Sequence, residues 1–404
     1  LQAQSEQVLA WQAAFSEEAD LLIYGCDLAS TAEGELFINT LAQLTGADVA
    51  ASDDLTGSAE LGGDWALEYS TGSIETDLAV SIDLQQNYDE VLVNSAPVLT
   101  GANDFTNISE DDTSSSGTLV SDLTSGNISD VDGGDPEGIA IIATDTTNGT
   151  WEYTTDGNTW QAVGAVDQYN VLLLAADADN ALRFVPNQDF NGTVTNGITF
   201  HAWDQSAGSD GTKVDATRTD TVRDNFNTAV YSNNDGTNNW NGDWIEVSDD
   251  GSPTGGQIQI ISSQLRLAGQ GSGDYVYRSV DLSNALSANL TFLHENNLLD
   301  GVLGTKDIQL QVYDGDTGIW TTLKTYNDNN HASGLQEFNI SSYISSDTQI
   351  RFITTNADNQ INFLKIDDLE ISYVVPDTGG SAAYSSASFS SGITVDEVND
   401  APIN

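Results

Sequence analysis

Positive charge is what this sequence most lacks. Ten Lys and Arg face 62 Asp and Glu over 404 residues, a formal net charge of −52. The first basic residue is Arg183. Nucleic acid and anionic lipid both require clustered Lys and Arg, so neither is an expected partner. Cys26 is the only cysteine, which excludes an internal disulfide framework. Met is absent and the chain begins at Leu1, as expected of a piece of a longer polypeptide whose leader or anchor lies outside it. No apolar run approaches the ~20 residues of a membrane-crossing helix. There is no phosphate loop, nucleophile-elbow Ser or dinucleotide fingerprint. The three His (His201, His294 and His331) show no metal-ligand spacing with the cysteine.

What is present is enough to build cores. Hydrophobic residues make up 39%, with 8 Trp, 13 Tyr and 12 Phe, so wholesale disorder is not expected. The length corresponds to roughly two to four domains. Residues 1–90 alternate helical and strand patterns. Leu1 to Phe15 has one apolar helical face, and the run Ala19 to Tyr24 suits a buried parallel strand. A second helical stripe spans Thr31 to Leu44, and Ala47–Ala51 and Trp65–Tyr69 read as strands. From Asn94 onward the pattern is all-β. Runs such as Ile139–Ala143, Trp151–Thr155, Val171–Ala175, Ala181–Val185 and Ile198–Trp203 are divided by Gly, Asn and Asp turns. Asp156-Gly157 reads as a hairpin turn.

One internal echo organises this β region. Val93-Asn94-Ser95-Ala96-Pro97 recurs as Val398-Asn399-Asp400-Ala401-Pro402. Pro fixes the chain extended, so Asn-x-Ala-Pro reads as a stiff linker between modules. The separation is too long for one β-sandwich of ~100 residues. An insertion accounts for it: a first sandwich from residues 94–223 and 377–397, a second domain at 224–375 within it, and residues 398–404 leading to the next repeat. Domain insertion is tolerated in strand-end loops.

The acidity has its own grammar. Asp outnumbers Glu and lies beside Gly, Asn, Ser and Thr, the company that an oxygen cage for a hard cation requires. The competing reading is a halophilic surface solvated by bulk salt. The cluster at 130–137 decides the choice here: Asp130, Asp132, Asp135 and Glu137 put four carboxylates around Gly133-Gly134, where they repel one another without a cation. Glu110 and Asp111 precede a strand and Asp204 ends another, so these residues are expected to converge with the cluster at one pole of the sandwich. Asp189 stands in a similar turn.

Three resemblances follow. Residues 20–70, through Leu21–Ser30, Leu44–Gly57 and Leu61–Tyr69, resemble an α/β domain of large bacterial surface adhesins, itself distantly similar to the caspase–gingipain fold. That resemblance implies a nucleophile at Cys26. The partner His of that fold follows an earlier strand, which the given sequence does not include, so this chain is not expected to act as an enzyme. Cys26 also reads as a small buried residue at a strand end. Residues 94–223 with 377–404, through Ile108–Asp112, Ile128–Glu137, Val185–Gly192, Ala202–Gln205 and both linkers, resemble cadherin-like repeats of bacterial adhesins. This implies Ca2+ near module junctions, with Asp400 of the second linker among the ligands. Residues 224–375, through Asp224–Thr228, Trp240–Val247, Asp307–Tyr313 and Ile366–Ile371, resemble jelly-roll sandwiches of the carbohydrate-binding or MAM-like kind. That implies a structural calcium at Asp367 or Asp368 and a sugar-stacking role for Trp240, against the commoner packing of Trp in a sandwich core.

The expected fold class is mainly β with a partial α/β domain: a cadherin-like β-sandwich interrupted by a jelly-roll β-sandwich. The expected function is that of a calcium-binding extracellular adhesion and spacer segment of a secreted bacterial surface protein. Its partners would be neighbouring repeats and a host or neighbouring-cell surface protein or glycan. The alternatives are a cysteine peptidase-like domain, of which residues 1–90 are the carboxyl part, and carbohydrate binding by the jelly roll.

Overall fold

A computed structural model describes residues 8–9, 11–12, 15, 19–25, 28–59, 63–88, 92, 94–131, 137–268, 271–297, 307–327, 333–356 and 363–399. It is mainly β, as the pattern indicates, with a small α/β unit at the start. In that unit Asp20–Ile23 pairs in parallel with Asp48–Ala51, which pairs antiparallel with Tyr69–Ser70. The helix Ala32–Thr45 makes the crossover. Its start is fixed by Thr31, whose hydroxyl accepts from the Gly34 N–H, and its end by Gly46 in the left-handed region (φ 71°). Ile38, Leu41, Val49 and Ala51 form the small core. The expected strand Trp65–Tyr69 shrinks to Tyr69–Ser70, and the helical face at Leu1 to Phe15 lies largely outside the described residues.

The first sandwich begins at Asn94. Its smaller sheet orders Gln161–Ala162, Gly149–Thr154, Ala181–Pro186 and Thr118–Leu119. Its larger sheet orders Lys213–Val214, Val171–Ala175, Gly138–Thr144, Gly192–Trp203, Tyr384–Asp396 and Ile108–Ser109. Inward residues alternate as strand geometry requires, and Trp151 sits at the centre, 4.8 Å from Phe105 and 4.9 Å from Phe184 between ring centroids. A Cβ at Gly197 would lie 2.5 Å from the Trp151 ring, so this strand position accepts no side chain. Asp156-Gly157 turns the chain between Gly149–Thr154 and Gln161–Ala162. The Asp156 carboxylate accepts from the N–H groups of Thr159 and Asn158, and Gly157 takes φ 69°.

Tyr384–Asp396 lies beside Gly192–Trp203, although more than 150 residues separate them in the chain. The intervening residues build a second, all-antiparallel sandwich. One sheet orders Ile258–Ile261, Gln264–Ala268, Phe363–Pro376, Ser287–Asn297 and Gly334–Asn339, with Thr217–Asp224 also paired to Phe363–Pro376. The other orders Ile245–Val247, Tyr275–Val280, Thr348–Asn356, Asp307–Asp314 and Ile319–Tyr326. The sequence places residues 217–223 in the first sandwich. The pairing of Thr217 with Pro376 through Asp224 with Leu369 puts them in the second instead. The boundary moves because these residues and Phe363–Pro376 are neighbouring strands, through which the chain passes into and out of the insertion. No helix among the described residues is long and apolar enough to cross a membrane.

Candidate functional site: carboxylate clamps, a buried ion pair and a polar cleft

The incoming linker is held by Asp204. This carboxylate, 3% exposed, accepts from the Asn94 side-chain amide at 2.8 Å, the Ser206 N–H at 2.7 Å and the Ser206 hydroxyl at 2.6 Å. The same Asn94 amide donates to the carbonyls of Ser381 and Ala382, just before Tyr384–Asp396. The outgoing linker is held by Glu110. This carboxylate, 6% exposed, accepts from the Val398 N–H at 2.6 Å and the Asn191 amide at 2.9 Å. The Asn191 amide, then the Val398 N–H, hold the Glu110 carboxyl below its ordinary pKa range.

These two carboxylates do not converge, contrary to expectation. Trp203 pairs with Tyr384 at the beginning of the long strand, whereas Ile108–Ser109 runs parallel to its end, Val395–Asp396. Asp204 and Glu110 therefore stand at opposite poles. Asp130 follows the Val98–Ser129 pairing, at the same pole as Asp204, and Glu137 precedes Gly138, which pairs with Trp203. The Glu137 carbonyl accepts from the Gln205 side chain. Asp111 is exposed at the Glu110 pole. Asp189 is an exposed turn residue with φ 59°. Asp132, Asp135, Asp400, Cys26 and His331 lie outside the described residues.

The oxygens of Asp204 are engaged by N–H groups and a hydroxyl and those of Glu110 by N–H groups, and among the described residues neither carboxylate belongs to a group of three close enough to share a cation. Among the described residues, three acidic groups bring carboxylates within 4.8 Å: Asp20 with Asp48 and Glu75, Asp53 with Asp54 and Glu68, and Glu246 with Asp249 and Asp250. None contains a ligand predicted from sequence. Asp367 and Asp368 do not form such a site. They lie beside a register shift between Phe363–Pro376 and Ser287–Asn297, where Asp368 (φ 48°) forms an ion pair with Arg223 at 2.6 Å. Asp367 accepts from the Asp368 N–H, and burial pushes its carboxyl up.

Trp240 is a second correction. It is buried, its ring 6.3 Å from that of Trp244, with the Arg278 guanidinium 5.0 Å from its centroid. It is therefore core, not a sugar platform. Arg278 anchors a network that sequence reasoning missed. Its Nη1 donates to Asp224 Oδ2 at 3.0 Å, both side chains being fully buried. Asp224 also accepts from the Trp244 indole at 2.9 Å, the Phe226 N–H at 2.9 Å and the Asn233 amide. Burial raises the Asp224 carboxyl above its ordinary range and lowers Arg278 to about 10. The signal was in the alternation: Val276, Arg278 and Val280 all face inward, so a cation in their row demands a buried acid. His201 and His294 are likewise buried. His201 lies between the Gln168 amide and the Ala387 carbonyl, and the His294 Nδ1–H donates to the Gly334 carbonyl at 2.7 Å while the ring packs on Tyr326.

A polar cleft of about 730 Å³ opens where the second sandwich faces the first. The second sandwich contributes Arg218, Asp220, Asn238, Asn241, Asp281 and Tyr373 among its walls, and His201 and Ser386 of the first close one side.

Residues 1–92 match the family model described as a domain of unknown function, DUF4347. No curated protein matches the chain. Among solved structures, a carbohydrate binding module of family 29 is similar at 11% identity and a TM-score of 0.26, covering 38% of this chain and 89% of that one. A xylan-binding module, CBM15, is similar at 10% identity and a TM-score of 0.25, covering 34% of this chain and 94% of that one. At these scores the likenesses carry no argument about ligand.

Proposed function

We propose that this chain is an extracellular spacer and adhesion segment of a secreted bacterial surface protein, with β units joined end to end. One observation carries the reading: the incoming and outgoing linkers are clamped by buried carboxylates at opposite ends of the strand Tyr384–Asp396. A module loaded through those linkers passes tension along its length. Ile108–Ser109 and Val395–Asp396 are parallel neighbours, so pulling the linkers apart shears their hydrogen bonds together instead of opening them one by one. The inserted sandwich hangs from two antiparallel neighbours, with Thr217 opposite Pro376. It bears no load while the host sandwich is closed, and once loaded it unzips from that end.

Calcium enters this proposal as a counter-ion for grouped carboxylates, not as a bridge at the two clamps. Self-repulsion at −52 destabilises the chain wherever screening is weak, and a divalent ion bound to the native state stabilises it. Single-molecule pulling of the full chain by its ends tests the mechanical claim. The host sandwich is expected to open first, at the higher force, and the insertion second, at the lower. Opening of the insertion first would refute the arrangement. A thermal melt at constant ionic strength tests the ionic part: millimolar calcium should raise the midpoint over chelator, and equal midpoints would remove calcium from the account.

A further inference from the structure

We propose that the cleft between the two sandwiches is a binding site for a neutral oligosaccharide. Its size suits a small ligand, since such pockets run to roughly 300–1,000 Å³ and favour domain interfaces. Its chemistry is narrower. The side-chain amides of Asn239 and Asn284 line it, are exposed, and make no hydrogen bond to any described residue. Each offers two N–H donors and a carbonyl acceptor. Asp281 uses one oxygen for the Ser283 N–H and adds further acceptor capacity. Sugar hydroxyls are donors and acceptors at once, so paired amides and carboxylates match vicinal diols. Ala285 and Pro376, both half-buried, supply the apolar part of the lining for the C–H face of a pyranose, while Leu282 and Val375 are buried.

An anionic ligand is disfavoured. Arg218, the only cation in the lining, is already engaged by both oxygens of Asp220 at 3.3 Å and by Asp377 at 3.4 Å. The site also makes structural sense of the Asn residues around Trp240. The ring is buried as a base, while Asn238, Asn239 and Asn241 turn toward the cleft. Asn238 braces the Tyr373 hydroxyl at 3.0 Å, and Asn241 accepts from the Asp281 N–H at 3.2 Å, so the walls are fixed before a ligand arrives.

The test is calorimetry of the full chain with hexasaccharides of glucose, xylose, mannose and galactose, and with oligogalacturonate as the anionic control. At least one neutral member is expected to bind at one site. Asn239→Ala and Asn284→Ala should each weaken it roughly tenfold, the loss of about one hydrogen bond, with the melting midpoint unchanged. Both positions are exposed, so these variants are expected to fold. Absence of heat with every neutral member, binding indifferent to both substitutions, or preference for oligogalacturonate would each overturn the proposal. The pulling experiment is independent of all three outcomes.

Discussion

The two sandwiches keep acid in their interiors by different means. In the insertion, Asp224 faces a cation: Arg278 is fully buried beside it, under Trp240 and Trp244. In the host, Asp204 and Glu110 are buried without any cation and are satisfied by N–H and O–H donors alone. Ten basic residues cannot neutralise 62 acidic ones, and the host sandwich shows the substitute: the linker's own amide groups. The contrast separates two purposes. The ion pair closes one core and involves nothing outside it. Each clamp ties a module to the chain that leads into or out of it.

The largest expected effect tests the insertion. Arg278→Leu leaves Asp224 buried and uncompensated, which should cost about 3–5 kcal/mol in the insertion's urea transition while leaving the host's in place. Adding Asp224→Leu should recover much of that loss, since replacing both partners by apolar groups is often close to neutral. A second substitution as costly as the two separate losses would show that the pair is not a unit. Next in size, Asp204→Ala strands the Asn94 amide and the Ser206 donors and should cost the host about 1–3 kcal/mol. Chemical denaturation of the full chain reads both.

The outgoing clamp is better read by pH and hydrogen exchange. Because Glu110 titrates in the fold below 4.5, the ordinary value of a glutamate, its contribution is present above that value. It is lost as the pH falls through the lowered folded value. Val398 amide exchange should accelerate across that window after correction for intrinsic rates. In Glu110→Ala, which removes the acceptor, it should be fast throughout. The smallest effect belongs to His201. Burial holds its pKa below 6.5, so the fold favours the neutral ring and loses stability as the pH falls below 6.5. His201→Gln should flatten the thermal midpoint over that range. A persistent slope would assign it to another group.

Much of the fold was legible because the local rules agree with one another. The run Val171–Ala175 is an unbroken apolar strand buried along its length, and the stripe at Thr31 to Leu44 becomes the helix Ala32–Thr45. The alternation after Tyr384 becomes the strand Tyr384–Asp396. What was not legible depends on which strand end meets which. Glu110 and Asp204 looked convergent because sequence carries no direction for the pairing of Ile108–Ser109 with a strand nearly 290 residues away. The flanking Asn residues kept a sugar-stacking role open for Trp240 against the commoner core packing, and the ring does turn inward while those amides face the cleft. Arg278 and His201 are polar strand residues that face inward. Arg278 has its partner in Asp224, and His201 is covered by Gln168 and the Ala387 carbonyl.

The separation of the two linkers tests the central claim most directly. Spin labels at Ser95→Cys and Glu397→Cys, in a Cys26→Ser background of the full chain, report the distance between the two clamps. A strand of this length at ~3.3 Å per residue places the labels about 40 Å apart. A distribution centred below about 20 Å would put both linkers at one pole and contradict the end-to-end account.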